Sequence, residues 1–275
     1  MKRSQNRGRT HNMIAPLVLH IPHSSVMIPE DIRDSLLLSP TELHNELLWM
    51  TDWYTDELFA LTEKEAITIH YPVSRLVVDP ERFPDDSSEP MAARGMGVVY
   101  TSTSQGASLR NEPTPIQRSV LIEKFYKPHH TALENAVGLT LDSFGYCLLV
   151  DCHSFSSHPL PYELDQQPDR PDICLGTDNF HTPSWLLDSA KNILQEHGFR
   201  VAINTPFSGA LVPASYFNQS KSVIAIMIEI NRRMYINELT SQKLPNFEFI
   251  ATAVQDTVQK LTQACYAKLF NNPLK

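Results

Sequence analysis

Histidines and carboxylates close three apolar runs of this chain. Leu17-Val18-Leu19-His20-Ile21 runs into Pro22-His23-Ser24-Ser25. Tyr146-Cys147-Leu148-Leu149-Val150 runs into Asp151-Cys152-His153. Val223-Ile224-Ala225-Ile226-Met227-Ile228 runs into Glu229-Ile230-Asn231-Arg232. An uncharged apolar run reads as a buried strand. Open α/β sheets bind their ligands in the crevice beyond the carboxyl ends of such strands. Imidazoles and carboxylates are the groups that hold a metal ion or move a proton, so the three runs point to one hydrolytic site.

Each residue has its own logic. Pro22 restricts Ile21 to extended geometry, which aims the His23 imidazole; the alternative is a histidine that caps a turn. Asp151 and His153 are two residues apart, so on an extended segment they face the same side and Cys152 faces the other. Asp151 can then accept the imidazole N–H or act on the substrate. The alternative for His153 is a buried, hydrogen-bonded histidine. A zinc site with two histidines also wants a carboxylate. Asp52 and Asp56 are spaced i, i+4 and so share one face of a predicted helix, although Asp52 also suits a helix start. Glu229 follows six apolar residues, and a buried charge calls for a partner. It is either a general base with a raised pKa or the ion-pair partner of Arg232 or Arg233. Arg75, Arg82 and Arg232 offer planar forks that match a carboxylate, and their place beside the apolar strand ends points to an anionic substrate.

The elements that must position these groups alternate, which predicts an α/β fold. Strands are expected at Leu17–Ile21, Ala66–Tyr71, Arg75–Val78, Tyr146–Val150, Ile173–Leu175, Arg200–Asn204 and Val223–Ile230. Helices are expected at Thr41–Thr62, Ile116–Val137, Pro183–His197 and Glu248–Leu269. Pro128 should kink or split the second. Thr182 can cap the third, with Pro183 at its first position and Gly198 past its end. Phe249, Ala253, Val258 and Leu261 give the last one an apolar stripe. The segments from Asp79 to Asn111 and from Ser154 to Asp172 are rich in turn residues and read as active-site walls or lids.

Composition sets the limits. The chain has 275 residues with 42% hydrophobic and 20% charged content, enough for a substantial core. A net charge of −8 argues against a general nucleic-acid or anionic-membrane surface. The basic start, with Lys2, Arg3, Arg7 and Arg9, reads as a disordered tail over residues 1–13, followed by a single catalytic domain over 14–275. No signal peptide is evident, and no apolar stretch approaches the ~20 residues of a membrane span. Cys147, Cys152, Cys174 and Cys265 form no C-x-x-C pair, which favours a reduced cytoplasmic protein. Neither G-x-S-x-G nor G-x-G-x-x-G nor H-E-x-x-H occurs, and only nine glycines are present, so serine-hydrolase and phosphate-cradling chemistries lack support.

Six motifs taken in order resemble the N-formylglutamate amidohydrolase family. They are His20-Ile21-Pro22-His23-Ser24-Ser25, Thr51-Asp52-Trp53-Tyr54-Thr55-Asp56, Val73-Ser74-Arg75-Leu76-Val77-Val78-Asp79, Asp151-Cys152-His153-Ser154, Pro171-Asp172-Ile173-Cys174-Leu175-Gly176 and Glu229-Ile230-Asn231-Arg232-Arg233-Met234-Tyr235. The resemblance implies a three-layer α/β/α fold with a mixed, mostly parallel central sheet, as in zinc carboxypeptidases. Aspartoacylase and succinylglutamate desuccinylase are more distantly similar. It implies a Zn2+-dependent amidohydrolase, active on a small-molecule N-acyl amino acid such as N-formylglutamate, and a place in histidine degradation. His23 and His153 would be zinc ligands, with Asp52 as the carboxylate ligand and Asp56 as its alternative. Glu229 would activate water, and Arg75 would meet the substrate carboxylate or the developing oxyanion. Arg82, Arg232, Asn231, Asp151 and Ser154 would contact the substrate. Two positions depart from the family: Glu81, where asparagine is usual, and Ser25, where glycine is frequent. The competing expectations are a non-catalytic binder of small anions on this scaffold, or a deacylase with another substrate. The oligomeric state is left open.

Overall fold

The computed structural model describes residues 15–270; the expected basic tail lies outside them. The strands are β1 (Leu17–Ile21), β2 (Ile67–His70), β3 (Cys147–Phe155), β4 (Ile173–Gly176), β5 (Val201–Ile203) and β6 (Val223–Asn231). They form one sheet in the order β2-β1-β3-β6-β4-β5. All pairs are parallel except β4 with β6. This is the mixed, mostly parallel sheet of an α/β fold.

The helices are α1 (Glu30–Arg33), α2 (Pro40–Met50), α3 (Thr55–Leu58), α4 (Pro115–Leu121), α5 (Lys127–Phe144), α6 (Ser184–Glu196) and α7 (Phe247–Phe270). They clothe both faces of the sheet. On one side Leu17, Leu19, Leu148, Val150, Cys152, Ile224, Ile226 and Ile228 pack with residues of α6 and α7. On the other, Val18, Leu149 and Ala225 pack against Leu133 and Val137 of α5. Burial on both faces is why these strands read as unbroken apolar runs.

Period-2 alternation carries this pattern into chemistry. In β1 the α5-side position after Val18 is His20. In β3 the positions after Leu149 are Asp151 and His153. In β6 the positions after Ala225 are Met227 and Glu229. One face of the sheet therefore changes from apolar to ionisable toward the carboxyl ends of β1, β3 and β6. The chain leaves β1 for β2 on one side and returns to β3 on the other. This reversal of strand order opens a crevice at those same ends.

Several elements differ from the sequence expectations. β3 extends to Phe155, so Asp151-Cys152-His153 lies within a strand rather than after one. The expected strand Arg75–Val78 is a turn; Leu76 packs into one apolar cluster and Val77 and Val78 into another, which accounts for their apolar character. The expected helix Thr41–Thr62 breaks into α2 and α3 at Thr51–Tyr54, where Tyr54 takes a left-handed φ of 60°. Such a conformation is uncommon for a residue with a Cβ and ends the helical register. Thr182 does not cap α6: Pro183 takes the cap position and the Thr182 hydroxyl donates to the Ala225 carbonyl. Phe249 is exposed, off the buried stripe of α7.

The expected helix Ile116–Val137 continues to Phe144, with a π-helical stretch at Ile122–Tyr126 just before Pro128. Leu121, Phe125, His129, Leu133 and Val137 are all buried at intervals of four residues. In a regular α-helix each such interval drifts by about 40°. The wider π-helical turn takes up part of that drift and keeps the five residues on one inner face.

Candidate metal and substrate site

Three elements converge beyond the crevice. His23 follows β1, His153 lies in β3, and Asp52 lies in the break between α2 and α3. One ligand atom from each falls within 4.8 Å of the others, and all three side chains are buried. Asp52 Oδ2 is 3.2 Å from His153 Nδ1 and 3.7 Å from His23 Nδ1. The Asp52 backbone N–H donates to the His23 carbonyl at 3.0 Å, which ties the helix break to the strand end. The Ser154 N–H donates to Asp52 Oδ2 at 3.2 Å. Asp52 is thus not a helix cap. Asp56 is exposed on α3, and the break that separates the two carboxylates removes it from the cage.

The remaining ring nitrogens face other carboxylates. His23 Nε2 lies 2.8 Å from Asp79 Oδ1, and His153 Nε2 lies 3.1 Å from Asp151 Oδ1. Imidazoles that ligate a metal through one nitrogen commonly donate through the other to a carboxylate, which fixes their orientation. His23 Nδ1, which faces the cage, is buried without a hydrogen-bond partner. Charge agrees with geometry. Burial would raise the Asp52 pKa, but the hydrogen bond from His153 and the nearby His23 imidazole outweigh it and push the carboxyl below its usual range. Burial would lower the His153 pKa, but Asp151 and Asp52 push it well above the ordinary value. A positive charge is stabilised at this spot. Two imidazoles and a carboxylate, with room left for water, suit a divalent cation.

Glu229 is paired in register with His153 across β3 and β6. Its Oε2 is buried without a partner. Burial pushes its pKa up to about 8, against the attraction of His153 and with repulsion from Asp52 and Asp151. The expected ion pairs do not form. Arg233 pairs with Asp172 at 2.9 Å. Arg232 donates through Nη1 to the carbonyls of Trp49 at 2.8 Å and Thr51 at 3.0 Å, satisfying the end of α2.

A cavity of about 430 Å³ opens over the cage, with His23, Asp52, His153 and Glu229 in its wall. Arg75, Arg82, Arg232 and Ser154 also line it. Arg75 is braced by Asp79, with Nη2 at 2.7 Å, and by the Tyr100 hydroxyl at 3.1 Å. Arg82 Nε is buried without a hydrogen-bond partner, 3.7 Å from Asp79 Oδ2. Asp151 and Asn231 do not reach the cavity. Asp151 is fully buried behind His153, and the Asn231 amide donates to the Pro171 carbonyl while its oxygen accepts from the Arg233 N–H. The two irregular segments do form walls. Glu81, Phe83 and Glu89 come from the first, and Tyr162, Glu163 and Leu164 from the second.

Sequence reasoning passed over three groups. Asp79 takes the His23, Arg75 and Tyr100 bonds; its signal was its place four residues after Arg75. His20 donates to Asp151, and His129 faces His20.

A family model for N-formylglutamate amidohydrolase matches residues 15–236. The chain belongs to the N-formylglutamate amidohydrolase family. It is a hydrolase of an amide bond. An N-formylglutamate deformylase from Pseudomonas putida is 27% identical over 263 residues, covering 94% of each chain. One from Pseudomonas aeruginosa is 26% identical over 244 residues, covering 86% of this chain and 85% of that one. The crystal structure of N-formylglutamate amidohydrolase from Ralstonia eutropha superposes with a TM-score of 0.82 at 21% identity, covering 92% of this chain and 95% of that one. The mixed, mostly parallel α/β fold expected from the sequence therefore agrees with the family. Among the described residues no helix is long and apolar enough to cross a membrane.

Proposed function

We propose that this amidohydrolase is a zinc enzyme that removes the formyl group from N-formylglutamate or a close acidic N-acyl amino acid. The observation that carries the metal part is the His23-Asp52-His153 cage, with His23 hydrogen-bonded to Asp79 and Asp151 3.1 Å from His153 Nε2. Two ligand atoms on a tetrahedral zinc lie about 3.3 Å apart, close to the 3.2 Å and 3.7 Å measured around Asp52 Oδ2. The relatives' deformylase names support the substrate.

When bound, zinc supplies a Lewis acid that acidifies water and polarises an acyl carbonyl. The protein supplies the rest. Glu229 takes the proton of the attacking water and passes it to the leaving amine nitrogen. Its raised pKa fits a base that works near neutral pH, and a cation in the adjacent cage favours its ionised form. Arg75, held by Asp79 and Tyr100, faces the developing oxyanion. Arg82 and Arg232 attract the substrate carboxylates. Residues 14–275 act as one catalytic unit. The buried, unpaired thiols support a cytoplasmic location.

The test is a panel of N-formyl, N-acetyl and N-succinyl amino acids with released amine measured. N-formylglutamate should give the highest kcat/KM. A preference for neutral amino acids would remove the anion-pocket role of the arginines.

A further inference from the structure

We propose that His129 is a positioning residue: through His20 and Asp151 it fixes the orientation of the cage histidine His153. The inference rests on the metal reading above.

The geometry is a continuous line of buried groups. His153 Nε2 is 3.1 Å from Asp151 Oδ1. His20 Nδ1 is 2.8 Å from the same oxygen and 3.3 Å from Glu81 Oε1. His20 Nε2 is 2.8 Å from His129 Nε2. The Leu211 N–H donates to Asp151 Oδ2 at 3.0 Å. His20 and Asp151 are fully buried, and His129 is 5% exposed.

The proton positions follow. An ionised carboxylate only accepts. Asp151 has the Leu211 N–H on Oδ2 and two imidazole nitrogens around Oδ1, the surroundings of a carboxylate that accepts on both oxygens. His20 Nδ1 therefore carries a hydrogen and donates to Asp151. Burial lowers the His20 pKa, so the ring is neutral and its Nε2 accepts. One hydrogen lies between the two Nε2 atoms, and His129 must bring it. Without that donor, His20 can move its proton to Nε2 and leave Asp151 short of a bond. The π-helical turn ahead of Pro128 keeps His129 on the inner face of α5, in line with the sheet. The ring of Tyr71 meets His129 edge-on, with centroids 4.9 Å apart, and fixes its plane.

Groups standing behind metal ligands are worth about 10–100-fold in metal affinity or activity. His129→Phe should lose about tenfold in zinc affinity, measured by chelator competition, and in kcat, with KM within about twofold. His129→Gln restores an N–H donor and should recover most of both. The double variant His20→Phe/His129→Phe should lose no more than His20→Phe alone. In wild type, imidazole 15N shifts should report His20 protonated at Nδ1 only. His20 protonated at Nε2, equal losses in the Gln and Phe variants, or a His129→Phe enzyme with wild-type zinc affinity would each overturn the relay. A wild-type chain that takes up no zinc would instead overturn the metal reading itself.

Discussion

Asp79 and Asp151 stand behind the two imidazoles of the cage, one on each side, and they are held by different means. Asp79 sits in the loop after the Arg75 turn. It is ringed by Arg75, the Tyr100 hydroxyl and the Glu81 N–H, with Arg82 at 3.7 Å. Burial would raise its pKa, but Arg75 and His23 push it well below the usual range. Asp151 sits inside β3, and no arginine or lysine pairs with it among the described residues. Imidazoles and one backbone N–H serve it instead. The first carboxylate is balanced by full charges and also braces the arginine of the substrate pocket. The second is served by two imidazoles and a backbone N–H and faces only the proposed metal cage. Damage to the first should reach fold and substrate binding as well as, through His23, the cage; damage to the second should stay with the cage.

The largest effect should come from the groups the two arms serve. His23→Ala and His153→Ala should each abolish zinc retention and cut kcat/KM by about a thousandfold or more. Glu229→Gln should lose about 10²–10⁴-fold in kcat while keeping its metal, as read by elemental analysis. A Glu229→Gln enzyme with normal turnover removes Glu229 from the base role.

Next come the two arms. Asp79→Asn leaves Arg75 without its counter-charge, a change that typically costs about 3–5 kcal/mol of stability; urea unfolding should show it, together with a raised KM. Asp151→Asn should cost about 10–100-fold in zinc affinity with a smaller stability loss. If the two variants behave alike in both assays, the contrast between the arms is wrong. Smallest is the arginine pair. Arg82→Ala should raise KM about tenfold with stability unchanged. Arg232→Ala should raise KM and also destabilise the protein by about 1–2 kcal/mol, because the carbonyls ending α2 lose their donor.

Much of this site was legible before the fold was known. His23, His153 and Glu229 stood out because a doubly covered sheet makes its strands uniformly apolar, so a titratable residue at their ends is conspicuous. Asp52 was legible only as one of a pair. Trp53, Tyr54 and Leu58 continue a helical apolar pattern through a stretch where the backbone turns left-handed at Tyr54, and sequence periodicity carries no mark of that break. Arg75–Val78 read as a strand because burial, not extension, makes it apolar. His20 looked like an interior strand residue and His129 like one helix residue among many. They are 109 residues apart in the chain and meet only when α5 lies across β1. Asn231 was misplaced for another reason: alternation puts it on the same side of β6 as Glu229, but its side chain is taken by the Pro171 carbonyl and the Arg233 N–H at the strand's end.

The central claim is that the His23-Asp52-His153 cage holds the zinc on which hydrolysis depends. The most direct measurement is metal content against turnover of N-formylglutamate, before and after chelation and on readdition of zinc. One zinc per chain in the active enzyme, loss of both on chelation, and return of both in wild type but not in His153→Ala is the predicted result. Full turnover from a chain stripped of metal would contradict it.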